Sequence, residues 1–276
     1  MTHIEVAGAD RIRTVVEDLE RVLLDFVRTR GITHAQYRAA TDLIIESVKA
    51  GEESLLFDVF FEAEATDVGN AGREGSPEAI EGPFYLENAP QLQGPVNVMP
   101  QRPDERGVPL LFRGTVTDVD GRPLPGIELD LWHADADGLY SNIHPGIPDW
   151  NLRGRFTTDG DGAFQVRTIL PPPYEIPKDG PTGRVLRALG RHFFRPAHLH
   201  VKLRGAGFEE MTSQLYFEGG DYLEDDVAGA VRDGLVIPLV TVDDPARSTE
   251  HGFDRPFVDA RYDFVLERRA NTSASA

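Results

Sequence analysis

The spacing of apolar residues changes once along this chain, and the change restricts the fold to one that begins in helices and ends in strands. Over 9–30, Ile12, Val15, Val16, Leu19, Leu23, Phe26 and Val27 recur at three- and four-residue intervals, which predicts a helix with an apolar stripe. A second helix is predicted to open at Thr33, where Thr33 and Gln36 suit a capping box, and to stop at Gly51. Tyr37, Ala40, Leu43, Ile44 and Val48 would form its stripe. In EESLLFDVFFEAEA, Leu55, Leu56, Val59, Phe60 and Ala63 fall on one face of a third helix. From residue 109 the period drops to two. PLLFRGTVTDVDGRPLPGIELDLWHA reads as strand, Asp-Gly turn, strand, and RGRFTTDGDGAFQVRTIL repeats the scheme. HLHVKL and TSQLYFEG read as further strands, 224–235 as a short helix, PFVDARYDFVLERR as a final strand and NTSASA as a frayed tail.

The expectation is an α+β chain. Residues 1–65 form an N-terminal helical domain, 66–108 a Gly-, Pro- and Asn-rich irregular connection, and 109–276 a β-sandwich of mixed topology. Twenty prolines suit a fold of many edges and loops better than a helical or doubly wound one.

The net charge of −18 argues against nucleic acid and anionic membranes as partners. No apolar run reaches the length of a membrane span, and the acidic, amphipathic N-terminus lacks the pattern of a secretory signal. There are no cysteines, which excludes disulfides and thiolate ligands and suits a cytoplasmic location. A small molecule or a second copy of the chain is the expected partner.

RPAHLH carries the first chemical signal. Residues i and i+2 of a strand share a face, so His198 and His200 project together while Leu199, Val201 and Leu203 face the other way. Such a pair is half of a metal site, but two polar residues on a solvated strand face have the same spacing. Turn-forming carboxylates such as those of TDGDG offer no obvious third ligand. Tyrosine is the less usual donor: Tyr140 ends ADADGLY, and Tyr174 follows three prolines that stiffen its approach. Either tyrosine alone suits an ordinary hydrogen-bonded core position.

Taken together, LDLWHADADGLYS, RTILPPPYEIPKDGPTG, LGRHFFRPAHLH, TSQLYFEGGDYL and the upstream IEGPFYLENAP make the chain resemble the intradiol ring-cleavage dioxygenases, the catechol and chlorocatechol 1,2-dioxygenase group. The resemblance runs over nearly the whole length. It implies one non-haem Fe(III) per chain held by Tyr140, Tyr174, His198 and His200, with Tyr140 and His200 equatorial and Tyr174 and His198 axial. It implies that catechol and O2 are the substrates and cis,cis-muconate the product, with Tyr174 leaving the iron as the catechol binds. Phenolate is a hard, anionic donor, and two of them favour Fe(III) over softer divalent ions. Tyr174, Arg195 and Gln214 match catalytic positions, Arg195 as a cation beside the bound ring. Leu55, Asp58, Val59, Ile80, Pro83, Phe84 and Arg195 match the substrate pocket. Asp58 stands where some catechol enzymes have proline, and hydroxyquinol enzymes also carry an acid there. The resemblance further implies a homodimer through the N-terminal helices, with a phospholipid at the interface.

Two other readings compete. The segment GTVTDVDGRPLPGIELDLW alone suits a non-enzymatic, prealbumin-like β-sandwich binding module, but this leaves the Tyr, Tyr, His, His set without a role. A zinc hydrolase would use His198, His200 and an acid.

Overall fold

The computed structural model describes residues 9–94 and 96–269, so the frayed end expected of NTSASA lies outside the described residues. The chain divides into two units, the first ending at Gly51 and the second starting at Glu52.

In the first unit, α1 spans Ala9–Thr29 and α2 His34–Ala50. Thr33 and Gln36 close the capping box: the Gln36 amide donates to Thr33 Oγ1 at 3.3 Å, and the Thr33 amide donates to Gln36 Oε1 at 2.9 Å. Gly51 ends α2 in the left-handed region, its N–H donating to the Ser47 and Val48 carbonyls.

The third helix, expected within the N-terminal helical domain of residues 1–65, lies in the second unit. The helix continues through α3 (Glu53–Phe57), a single wide π turn (Asp58–Glu62) and α4 (Ala63–Asn70), past the expected boundary at 65. Leu55 and Val59 are buried in one cluster with Phe84, Trp132 and Tyr140. The Glu52 carboxylate accepts the Thr182 amide at 2.9 Å. These contacts are tertiary, so the helical period that predicts the segment does not say where it docks.

The strands are β1 (Asn97–Val98), β2 (Pro109–Asp118), β3 (Glu128–Trp132), β4 (Arg153–Thr157), β5 (Ala163–Ile169), β6 (Tyr174–Glu175), β7 (Phe194–Arg195), β8 (His198–Arg204), β9 (Met211–Phe217), β10 (Val236–Ile237), β11 (Leu239–Val242), β12 (Phe257–Arg261) and β13 (Phe264–Leu266). Helix α5 covers Pro181–Ala188 and α6 covers Pro245–Glu250. Among the described residues, one sheet runs β1-β5-β2-β12-β11 with β13 also on β2, a second runs β10-β9-β8-β3-β4, and β6 pairs with β7 alone. One apolar cluster takes Leu110, Phe112, Phe164 and Val166 from the first sheet and Leu129, Leu131, Leu199, Val201, Leu203 and Leu215 from the second. This is the β-sandwich expected of the α+β reading.

The two Asp-Gly segments do not close the two-stranded hairpins that the sequence suggests. β2 pairs with β5, β12 and β13, whereas β3 pairs with β4 and β8, so each turn carries the chain from one sheet to the other. The turns themselves form: Gly121 N–H donates to Asp118 O and Gly162 N–H to Asp159 O. Beyond them the strands diverge, and the two corners tie to each other. Thr158 Oγ1 accepts from Ile127 N–H at 3.0 Å and donates to Leu124 O at 2.7 Å.

Two more expectations change. No helix forms over 224–235. Gly229 and Gly234 sit at positive φ, and the Asp226 carboxylate takes the amides of Ala228 and Ala230 that a helix would need. The final strand is two, β12 and β13, broken at Tyr262 and Asp263, where Asp263 accepts both the amide and the hydroxyl of Thr115. Among the described residues, no helix is long and apolar enough to cross a membrane.

Candidate metal centre

Strand register assembles one side of the site. On β8, His200 lies opposite Trp132 of β3 on one flank and Gln214 of β9 on the other, and His198 lies opposite Tyr216. Both histidines are buried, 2% and 1% exposed, which rules out the solvated strand face. Trp132 stacks on His200 with ring centres 4.7 Å apart and planes 12° apart. The other side comes from loops. Tyr174 opens β6 directly after the prolines, and its cross-strand partner on β7 is Arg195. Tyr140 ends the loop that follows β3. Asp135 shapes this loop by accepting the amides of Asp137 and Leu139 at 2.9 and 3.0 Å. Gly138 in that loop has φ near +80°, and a Cβ there would meet Tyr174 Cβ at 2.9 Å. Glycine thus lets the two tyrosine segments approach.

The four side chains converge. Ring centres are 5.4 Å apart for Tyr140 and Tyr174, 5.6 Å for Tyr174 and His198, 6.2 Å for Tyr140 and His200, and 4.6 Å for the two histidines. His198 Nδ1 lies 2.7 Å from Pro196 O, which needs a proton on Nδ1 and leaves the lone pair of the neutral ring on Nε2. That Nε2 is 3.0 Å from His200 Nε2. Burial, reinforced by Arg195, pulls His198 down to about 3, and burial with the neighbouring imidazole holds His200 well below the ordinary histidine range. Both rings are therefore neutral donors. Burial, with the Tyr174 charge next, raises Tyr140 well above the usual phenol value, and burial raises Tyr174 against the pull of Arg195. The Tyr140 hydroxyl is buried, with the Tyr174 hydroxyl as its neighbour.

Arg195 is enclosed by acceptors. Its Nε donates to Asp226 Oδ1 at 3.1 Å, and its Nη2 donates to Asp226 Oδ2 at 3.0 Å, Gln214 Oε1 at 2.8 Å and Tyr216 Oη at 2.9 Å. Burial works against its charge, but Asp226 first, then the Tyr216 and Tyr174 phenols, hold it well above the usual arginine value. Gln214 Nε2 donates to Ile80 O at 2.8 Å. Leu55, Asp58, Val59, Ile80, Pro83 and Phe84 line one pocket with Tyr174 and Arg195, so the residues singled out as pocket walls meet around a single space. Asp58 accepts from Ser54 Oγ at 2.7 Å, and burial raises its carboxyl above the usual range.

Three contributors carry no sequence signal: Asp226, Tyr216 and Arg153. Arg153 is fully buried, donates to Phe84 O at 2.8 Å and to Ser141 O at 3.2 Å, and stands 5.7 Å from the centre of the Tyr140 ring. It opens β4, and its partners lie on other segments, Phe84 and Ser141.

The Dioxygenase family model matches residues 80–268. The chain belongs to the intradiol dioxygenases. This dioxygenase is 42% identical over 265 residues to a chlorocatechol 1,2-dioxygenase of Pseudomonas putida, covering 96% of this chain and 92% of that one. It is 33% identical over 270 residues to a catechol 1,2-dioxygenase of Acinetobacter baylyi, covering 95% and 86%. Among solved structures it superposes on 3-chlorocatechol 1,2-dioxygenase of Rhodococcus opacus 1CP with a TM-score of 0.85 and 39% identity, covering 95% of this chain and 100% of that chain. The family places the chain among oxidoreductases of aromatic degradation and removes the non-enzymatic module reading. The hydrolase reading lacks its third ligand, because no group of three His, Asp or Glu side chains gathers among the described residues.

The residues fit the ferric ion that intradiol enzymes use. Two neutral imidazoles and two phenols stand together without thiolate or carboxylate, and the Tyr140 hydroxyl is buried beside that of Tyr174. A phenol kept protonated by burial is one that a nearby cation would ionise.

Proposed function

We propose that this enzyme cleaves catechol and ring-substituted catechols, chlorocatechols among them, between the two hydroxyl-bearing carbons with O2, giving cis,cis-muconates. One ferric ion per chain would be held by Tyr140, Tyr174, His198 and His200. The observation that carries this reading is the buried convergence of two tyrosines on the His198–His200 pair. The bound ion would supply Lewis-acid activation of the catechol ring toward O2.

The chain's own residues do the rest. Beside the bound ion Tyr174 would be a phenolate, and its Oη would receive one catechol proton as the substrate binds. Arg195, fixed on its Nε and Nη2 side, offers Nη1 to negative charge on the ring. Gln214 is held by Arg195 and Ile80 beside His200. Leu55, Val59, Ile80 and Phe84 exclude water and clasp the ring. The half-buried Asp58 supports a second reading, hydroxyquinol cleavage, in which it accepts a hydrogen bond from a third ring hydroxyl.

In α1, Ile12, Val15, Val16, Leu19, Val22, Leu23 and Phe26 are all more than 40% exposed, which supports self-association through this helix, with a phospholipid chain as a further occupant. A monomeric mass by light scattering would remove that part of the reading. A cytoplasmic location goes with the absence of cysteine.

The visible spectrum of the purified protein tests the centre. A tyrosinate-to-iron band is expected, shifting when catechol is added without O2. A colourless protein that stays inactive after iron loading would overturn the assignment. Tyr174→Phe is expected to keep iron but lose most turnover. Relative kcat/KM for catechol, chlorocatechols and hydroxyquinol decides the substrate.

A further inference from the structure

We propose that Asp226 is a positioning residue: it grips one edge of Arg195 so that the opposite edge stays turned to the substrate pocket. This rests on the role given to Arg195 above.

The carboxylate is 1% exposed and fully engaged. Oδ1 accepts from Arg195 Nε at 3.1 Å and Ala228 N at 3.2 Å, and Oδ2 accepts from Arg195 Nη2 and Ala230 N, both at 3.0 Å. Four donors fill the four lone-pair directions of a carboxylate. Two of them belong to a planar guanidinium fork, which fixes its orientation as well as its position. Tyr216 Oη and Gln214 Oε1 complete Nη2. Nη1 is what remains. It lies 3.5 Å from His198 Nε2, and Arg195 itself borders the pocket.

The other two donors belong to the segment after Asp226. Ala228 borders the same pocket, and the Val227 amide donates to Phe194 O beside Arg195 at 3.2 Å. One carboxylate therefore sets a cation and a stretch of pocket wall together. A buried aspartate that only pinned the segment would need the two amides and not the bidentate fork. The fork marks Arg195 as its principal partner.

A double-mutant cycle separates positioning from a purely structural role. Wild type, Asp226→Asn, Arg195→Gln and the double variant are compared for the visible band of the resting iron enzyme and for kcat and KM with catechol. Asp226→Asn is expected to keep the band and lower kcat by about 10–100-fold, the scale of a catalytic group displaced by about 1 Å, with a smaller change in KM. In the Arg195→Gln background the same change is expected to alter kcat by less than about twofold, because coupled sites are not additive. An equal loss in both backgrounds, or an Asp226→Asn enzyme with wild-type kcat, overturns the proposal. If Asp226→Asn does not fold, Asp226→Glu, which keeps the charge, carries the same cycle. Its loss should be smaller and again absent without Arg195; a loss of equal size in both backgrounds counts against it. A wild-type enzyme without the band or without catechol turnover would instead overturn the reading of the centre.

Discussion

The two faces of β8 are both buried, yet they do opposite work. Leu199, Val201 and Leu203 are 0% exposed and point into the sandwich, where removal from water stabilises the fold by about 1.5–3 kcal/mol each. His198 and His200 are as thoroughly buried on the other face, where nothing apolar is gained and every ring nitrogen needs a partner. Pro196 O and Gln214 meet that need at the two Nδ1 atoms, and the two Nε2 atoms face each other at 3.0 Å. A strand that would hold a sandwich together with leucines alone thus carries, on its second face, polar groups whose arrangement makes sense with a cation among them.

Variants on the two faces should therefore fail in different ways. The largest effect is expected from His200→Ala: loss of iron, of the visible band and of turnover, with melting of the metal-free protein little changed. Leu199→Ala should do the reverse, costing about 2–5 kcal/mol in denaturant unfolding while the protein that remains folded keeps its band. If Leu199→Ala bleached the centre as fully as His200→Ala, the two faces would not be separable. Gly138→Ala tests the close approach of the two tyrosine segments. A side chain at φ near +80°, 2.9 Å from Tyr174 Cβ, should cost about 1–3 kcal/mol and change the position of the band, because it displaces Tyr174. An unshifted spectrum would mean that the loop moves and the tyrosine does not. The smallest effect is expected from Asp58→Asn, about 1 kcal/mol in the ratio of kcat/KM between hydroxyquinol and catechol, with the band unaffected. An unchanged ratio would remove Asp58 from substrate choice.

Much of the candidate site was legible because its residues announce themselves locally. His198-x-His200 follows from strand period, Tyr174 stands behind a stiff proline run, and the capping box at Thr33 and Gln36 needs only four residues. The failures share a cause. An Asp-Gly turn has the same chemistry whether its strands stay paired or part into different sheets, so the two corners looked like hairpins. Residues 224–235 form no helix because Gly229 and Gly234 take positive φ and Asp226, bound to an arginine 31 positions earlier in the chain, diverts two amides. The third helix has the period of its predecessors but belongs to the second unit.

What the sequence determined by itself was the order of helices then strands, the absence of thiolate chemistry and the identity of the four candidate donors. Each of these depends on residue type or on spacing within one element. What only the tertiary structure decided was which sheet each strand joined, that Trp132, His200 and Gln214 share one row, and that Asp226 and Tyr216 close around Arg195. These depend on register and burial, quantities that exist only once distant segments have been brought together.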